Sequence, residues 1–299
     1  MIVPCFGITK FPDNDGNYAM VLSCCKEGNL RDYLRNNHSK LTLKNRITIL
    51  RELCDSLDDI HKKDLIHCDL HSGNILIQDG ACFITDLGLC GPVDEESSGK
   101  IYGIIPYIAP EVLQGKKNTK QSDIYSIGML MWEIFAGRPP FDDKAHGPGL
   151  CLKICERLRP PLLSNMPTDC IHMVEKCWDT DPSKRPTIEE LLNFAKNKLK
   201  EIYENENLKS NTERKKDTTS LFKRLFKFSK IKENKKKEIK GINDSNISDG
   251  SGSSNSLQTH KKHPLAYHTS RILDDEITKS KSLKSNNDSL LGGLDISDF

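Results

Sequence analysis

Several things are missing from this sequence. No apolar run is long enough to cross a bilayer: stretches such as IGMLMW at 127–132 fall far short of the roughly 20 residues a transmembrane helix needs. No Cys-x-x-Cys pair occurs, although 11 cysteines lie between Cys5 and Cys177. An odd number of cysteines without that spacing points to free thiols in a reducing compartment rather than to a disulfide framework. The start, MIVPCF, shows no basic leader and no glycine at position 2, and the final SDF is no prenylation signal, so the expected location is cytoplasmic, with the nucleus as the alternative. Net charge is nearly absent too, with 44 Lys and Arg against 42 Asp and Glu, and nucleic acid is not an expected partner.

That balance hides an asymmetry. Residues 209–240 hold 13 basic and 4 acidic side chains, a local +9 that leaves the other 267 residues at −7. A mildly acidic body is joined to a basic segment. Residues 1–199 carry periodic apolar patterning, whereas 200–299 are rich in Lys, Ser, Asn and Asp. The second part is expected to be a low-complexity, disordered tail, because it has too little apolar surface to offset chain entropy.

Within the first part, IVPCFGITKF and YAMVLSCC are β-rich runs separated by PDNDGN, which reads as a hairpin. Over 41–61, Ile47, Leu50, Cys54, Leu57 and His61 recur at steps of three and four, the mark of a helix with one buried face. Further helices are expected at 123–135, closed by Gly137 with Pro139 and Pro140, and at 150–157, 169–178 and 187–199. Cys151, Cys155, Cys170, His172 and Cys177 can be imagined as zinc ligands, but they read better as positions on two of these helices. Strands followed by a large helical region make an α+β arrangement.

The chemistry concentrates in LIHCDLHSGNILI at 65–77 and ITDLGL at 84–89. Asp69, Asp86 and the Asn74 amide stand close in sequence between short apolar runs that read as strands. Two carboxylates and an amide can gather oxygen ligands for Mg²⁺ while leaving one carboxylate as a base. Three more segments follow: IIPYIAPEVL at 104–113, SDIYSIGMLMWEIFAG at 122–137 and CWDTDPSKRPTIEELL at 177–192.

In this order and spacing the five segments resemble the protein kinase superfamily from its fourth strand to its last helix, most like its tyrosine-kinase and tyrosine-kinase-like branches. The resemblance covers residues 1–199. The family's H-R-D-x-x-x-x-N appears as His67-Cys68-Asp69 with Asn74, and D-F-G as Asp86-Leu87-Gly88. It implies that Asp69 accepts the substrate hydroxyl proton and that Asn74 and Asp86 hold the metal ions bridging the ATP phosphates. It further implies that Leu22, Ser23, Cys24 and Cys25 form the hinge at the adenine edge, with Leu76 beneath the ring. Glu111 would pair with Arg185, and Asp123 would cap the catalytic-loop backbone. ATP and Mg²⁺ are the implied cofactors, a protein Ser/Thr or Tyr hydroxyl the implied acceptor. The implied fold is the helical C-lobe with a residual N-lobe hairpin, followed by the tail.

The sequence also departs from the family. It has no G-x-G-x-x-G before the hinge and no V-A-I-K-like lysine, and Met1 stands just before the fourth strand, so the expectation is an N-terminally truncated catalytic domain with an exposed, sticky hairpin. Phosphoryl transfer would be impaired, and a pseudokinase-like scaffold is the alternative reading. Cys68 replaces the arginine that reads a phosphorylated activation segment, His71 stands where serine/threonine kinases place lysine, and Ile104 where they place threonine. Ser97, Ser98 and Tyr102 are candidate phosphate acceptors. In the tail, SLFKRLFKFSKIKENKKKEIK at 220–240 interleaves apolar and basic residues, suiting an anionic membrane or an import receptor through 209–240. HPLAYHTSRILDDE at 263–276 breaks the low-complexity background and resembles a tail segment of fungal kinase expansions.

Overall fold

The central helix α4, Lys120–Ala136, is buried on every side from Ser122 to Phe135, as a helix at the middle of a core must be. Thr119 and Ser122 open it with a capping box, each side chain bonding the other's backbone N–H, and Gly137 closes it in the left-handed conformation, φ 72°. Helix α2, Leu43–His61, starts in the same way with Thr42 and Asn45 and buries Ile47, Leu50, Cys54, Leu57 and His61. It packs on α4, and so does α6, Thr168–Cys177. The computed structural model describes residues 2–10, 18–92, 101–208 and 262–291.

The strands are short and paired two by two. β1, Cys5–Lys10, and β2, Tyr18–Leu22, form the expected antiparallel hairpin. β3, Leu65–Ile66, pairs with β6, Gly91–Pro92. β4, Ile75–Gln78, and β5, Ala81–Ile84, are joined by Asp79 and Gly80 at φ 52° and 77°, the two left-handed residues of a tight hairpin turn whose twist suits the strands. This second hairpin packs on α2. β7, Tyr102–Gly103, pairs with β8, Arg271–Ile272.

Helix α1, Leu30–Asn37, is capped by Asn29 and buries Leu30 and Leu34; its eight residues carry too few apolar repeats to announce it. Short helix α3, Pro110–Leu113, leads to α4, and α5, Pro148–Cys155, packs on α3. Cys151 and Cys155 lie on α5, and Cys170, His172 and Cys177 on α6. Helix α7 covers 188–208.

The chain divides into two compact units, 1–199 with 261–299, and 200–260. Two parts of the region read as a disordered tail differ from that reading. Residues 200–208 continue α7, and 262–291 contain β8 and helix α8, Asp274–Leu291, which packs on α5. The apolar anchors are few but deep: Ala266, Leu273 and Ile277 are buried, and composition averaged over 100 residues conceals them. The hairpin turn at 11–17, Ser97, Ser98 and the basic segment 209–240 lie outside the described residues.

Candidate active site

Residues 67–74 form a loop held from below by α4. The Asp123 carboxylate accepts the backbone N–H groups of His67 (2.9 Å) and Cys68 (3.2 Å), and His61 Nε2 lies 2.9 Å from it. A buried carboxylate with three donors around it is satisfied, and it fixes the loop's start at the packed centre. Cys68 adopts φ 69°, a left-handed turn that brings Asp69 back over the loop. Burial, then the charges of Asp123 and Asp69, push the Cys68 thiol up to about 12. Cys90 reaches about 12 for the same first reason, so both remain thiols.

His67 Nδ1 accepts the Asp69 N–H at 3.2 Å, so its Nε2 carries the proton, 3.1 Å from the Thr85 carbonyl. Thr85 N–H donates to the Asn74 carbonyl at 3.0 Å. These two bonds bring Asp86 beside the loop. Asp86 is exposed and left-handed, φ 60° and ψ 61°, a conformation that Asp tolerates better than most residues. Asn74 Nδ2 donates to the Asp69 carbonyl (3.0 Å) and to Asp69 Oδ2 (3.2 Å), and this orientation turns the amide oxygen the other way. Asn74 and Asp86 thus offer oxygen donors of the hard type that suits Mg²⁺, which is commonly held by one or two protein oxygens together with substrate phosphates.

Asp69 itself is buried. Burial alone would raise its carboxyl, but His71, the Ser270 hydroxyl and His67 outweigh this and hold it below the usual carboxylate range. His71 Nδ1 accepts the Gly73 N–H at 3.0 Å, which places its proton on Nε2, 2.7 Å from Ser270 Oγ. Ser270 in turn donates to Asp69 Oδ2 at 2.7 Å. Arg31 Nε donates to Ser72 Oγ (3.2 Å), which lies 3.4 Å from the Tyr107 hydroxyl; Tyr107 donates to Glu133 Oε2 at 2.6 Å. The loop is therefore tied to α1 as well as α4.

The expected adenine-side residues lie together. Ser23 N–H bonds the Pro4 carbonyl (2.9 Å), Lys26 N–H bonds Gln78 Oε1 (2.8 Å), and Asn29 bridges to Leu76. This places the segment from Leu22 to Cys25 beside β4. Leu22 and Cys24 are exposed, while Ser23, Cys25 and Leu76 are half-buried.

Further along, Arg185 and Glu111 form a two-pronged ion pair, Nη1–Oε1 and Nη2–Oε2 both 2.7 Å. Its remaining donors reach the carbonyls of Gln121 (2.8 Å) and Asp179 (2.9 Å). Residues 1–194 match the family profile of protein tyrosine and serine/threonine kinases. The chain belongs to that family. It is 29% identical to the dual specificity protein kinase zakA of Dictyostelium discoideum over 198 residues, covering 59% of this chain and 25% of that protein. It is likewise 29% identical to the dual specificity protein kinase shkC of the same organism over 191 residues, 59% and 37% of the two chains. With the protein R831 of Acanthamoeba polyphaga mimivirus it shares 30% over 179 residues, 59% and 11%. The chain spans between 11% and 37% of the length of these relatives.

Three parts of this site escaped sequence reasoning. Arg31 sits on a helix too short to announce itself. Gly103, where a Cβ would stand 3.1 Å from Asp69 Oδ1, matters through its neighbours in space. Ser270 lies 201 residues from Asp69, and its only signal was the break in low-complexity composition around it. No helix among the described residues is long and apolar enough to cross a membrane.

Proposed function

We propose that this kinase-like chain carries the catalytic-loop and substrate-binding part of an ATP-dependent protein kinase of the tyrosine-kinase-like branch, transferring phosphate to protein Ser/Thr or Tyr hydroxyls. One observation carries the reading: a buried carboxylate, Asp69, oriented by Asn74, has a hydroxyl within 2.7 Å of Oδ2. That is the reach a general base needs. In this reading Asp69 accepts the hydroxyl proton, His71 Nε2 orients the hydroxyl oxygen, and Asn74 and Asp86 would hold Mg²⁺. Leu22, Ser23, Cys24, Cys25 and Leu76 would flank the adenine of ATP, which would supply the phosphoryl group while the metal would neutralise its charge.

The filled acceptor position and Cys68 in the arginine position favour a second reading, an inactive binding or scaffold protein. ADP production by the purified 299-residue chain with Mg²⁺ and ATP separates the two. Asp69→Asn is expected to reduce turnover about 10²–10⁴-fold. Absence of turnover in both proteins would leave the scaffold reading standing.

A further inference from the structure

The segment from 262 to 283 lies against the site through more than one contact. β8 pairs antiparallel with β7, Gly103 opposite Arg271 and Tyr102 opposite Ile272. Leu273 N–H extends the ladder to the Ile101 carbonyl at 2.8 Å, and Ile101 N–H bonds Asp274 Oδ1 at 3.1 Å. Before the strand, Tyr267 N–H bonds His146 Nδ1 (3.0 Å), His146 N–H bonds the Leu265 carbonyl (2.8 Å), and Arg31 reaches the His268 carbonyl. After it, Leu273 is wholly buried. An extended segment that pairs its backbone with a lone strand, as β8 does with β7, and seats apolar side chains beyond it is a common way for a protein to hold a peptide.

At its centre the hydrogen-bond polarity runs one way. Since His71 Nδ1 is occupied by the Gly73 N–H, Nε2–H donates to Ser270 Oγ, and the hydroxyl proton points to Asp69. Gly103 permits the approach: its φ is +130°, and a Cβ there would stand 3.1 Å from both Asp69 Oδ1 and Ile108 Cδ1. With the backbone this near, a one-carbon stem brings its hydroxyl to the carboxylate, whereas a tyrosine ring would carry its oxygen well past it.

We infer that residues 262–283 are a substrate of this site held in cis, with Ser270 Oγ as the phosphoacceptor. The inference rests on the kinase reading above and narrows its acceptor to serine or threonine. In the step, Ser270 Oγ bonds to the terminal phosphorus of a nucleoside triphosphate and the hydroxyl proton passes to Asp69 Oδ2. The bond from that phosphorus to the bridging oxygen breaks, and the nucleoside diphosphate leaves. The product carries close to two negative charges against Asp69, and like-charge repulsion expels the segment, opening the site to other proteins.

Two measurements on the full chain test this. Hydrogen–deuterium exchange is expected to find the amides of Ile101 and Leu273 protected, and Ser270→Asp to speed both about tenfold or more by local opening, while Ser270→Ala, which keeps the strand and its anchors, leaves them slow. Unprotected amides in the native chain, or an Asp variant indistinguishable from it, would overturn the inference. With Mg²⁺ and ATP, phosphate is expected on Ser270 at a rate per molecule independent of protein concentration, and none in Asp69→Asn. A chain that phosphorylates an added protein but leaves Ser270 unmodified overturns the inference and preserves the kinase reading. A chain that phosphorylates nothing defeats the kinase reading and, with it, the acceptor role of Ser270.

Discussion

The buried charged groups are not equivalent. Glu111 and Arg185 are both buried, and the guanidinium finds a partner on every side. Removing one member would leave the other charged and unpaired in a dry site, so Glu111→Ala is expected to cost about 3–5 kcal/mol, read as a lower urea midpoint. Replacing both with apolar residues of similar volume should recover much of that loss. Glu133 behaves differently. Burial raises its carboxyl above the ordinary 4.5, opposed by the Tyr107 hydroxyl and the Arg31 charge. Its contribution to stability is full below the unfolded-state value and is lost as pH rises through the higher folded-state value. The stability of Glu133→Gln relative to the native chain should therefore increase from pH 5 to pH 8 in urea titrations; a constant difference would contradict this account.

Among the elements, α4 sets the positions of the rest. Its first turn presents Asp123 to the loop at 67–74, and its middle faces α6 without a side chain at 128. A Cβ on Gly128 would fall 2.6 Å from the Cys177 Cβ, so the two helices approach as closely as glycine allows. Gly128→Ala must push α6 outward, and overpacking of this kind costs about 1–3 kcal/mol; thermal unfolding of the variant would register it as a lowered Tm. Helix α2 was legible through apolar residues recurring every three or four positions, because that periodicity is local chemistry. Helix α1 and strand β8 were not, since each is stabilised mainly by what it packs on.

At the scale of the whole molecule, the least supported part among the described residues is the β1–β2 hairpin. Phe6, Ile8, Tyr18 and Met20 are 72%, 71%, 72% and 68% exposed, and the register puts Ile8 opposite Met20, so one apolar face is open to solvent. Exposed apolar strands tend to associate. The 299-residue chain is expected to self-associate with concentration in sedimentation velocity, and Phe6→Lys with Ile8→Lys to reduce this without changing the unfolding of the helical body. Unchanged association in that double variant would show that the hairpin is not the contact.

The sequence by itself determined the helical periodicity, the first hairpin with its PDNDGN turn and the order of chemical groups from Asp69 to Asp86. Each depends on residues within a few positions of one another, where backbone geometry alone brings side chains together. It also marked Glu111, Asp123 and Arg185 through motif resemblance. Only the tertiary structure decided which of these groups meet. Glu111 closes on Arg185 across 74 residues, and Asp123 on His67 across 56. Ser270 reaches Asp69 across 201 residues, from a region whose composition suggested no fold. Long-range pairing depends on how much apolar surface a few anchors can bury together, and at Ala266, Leu273 and Ile277 that surface becomes visible only when the body they pack against is in place.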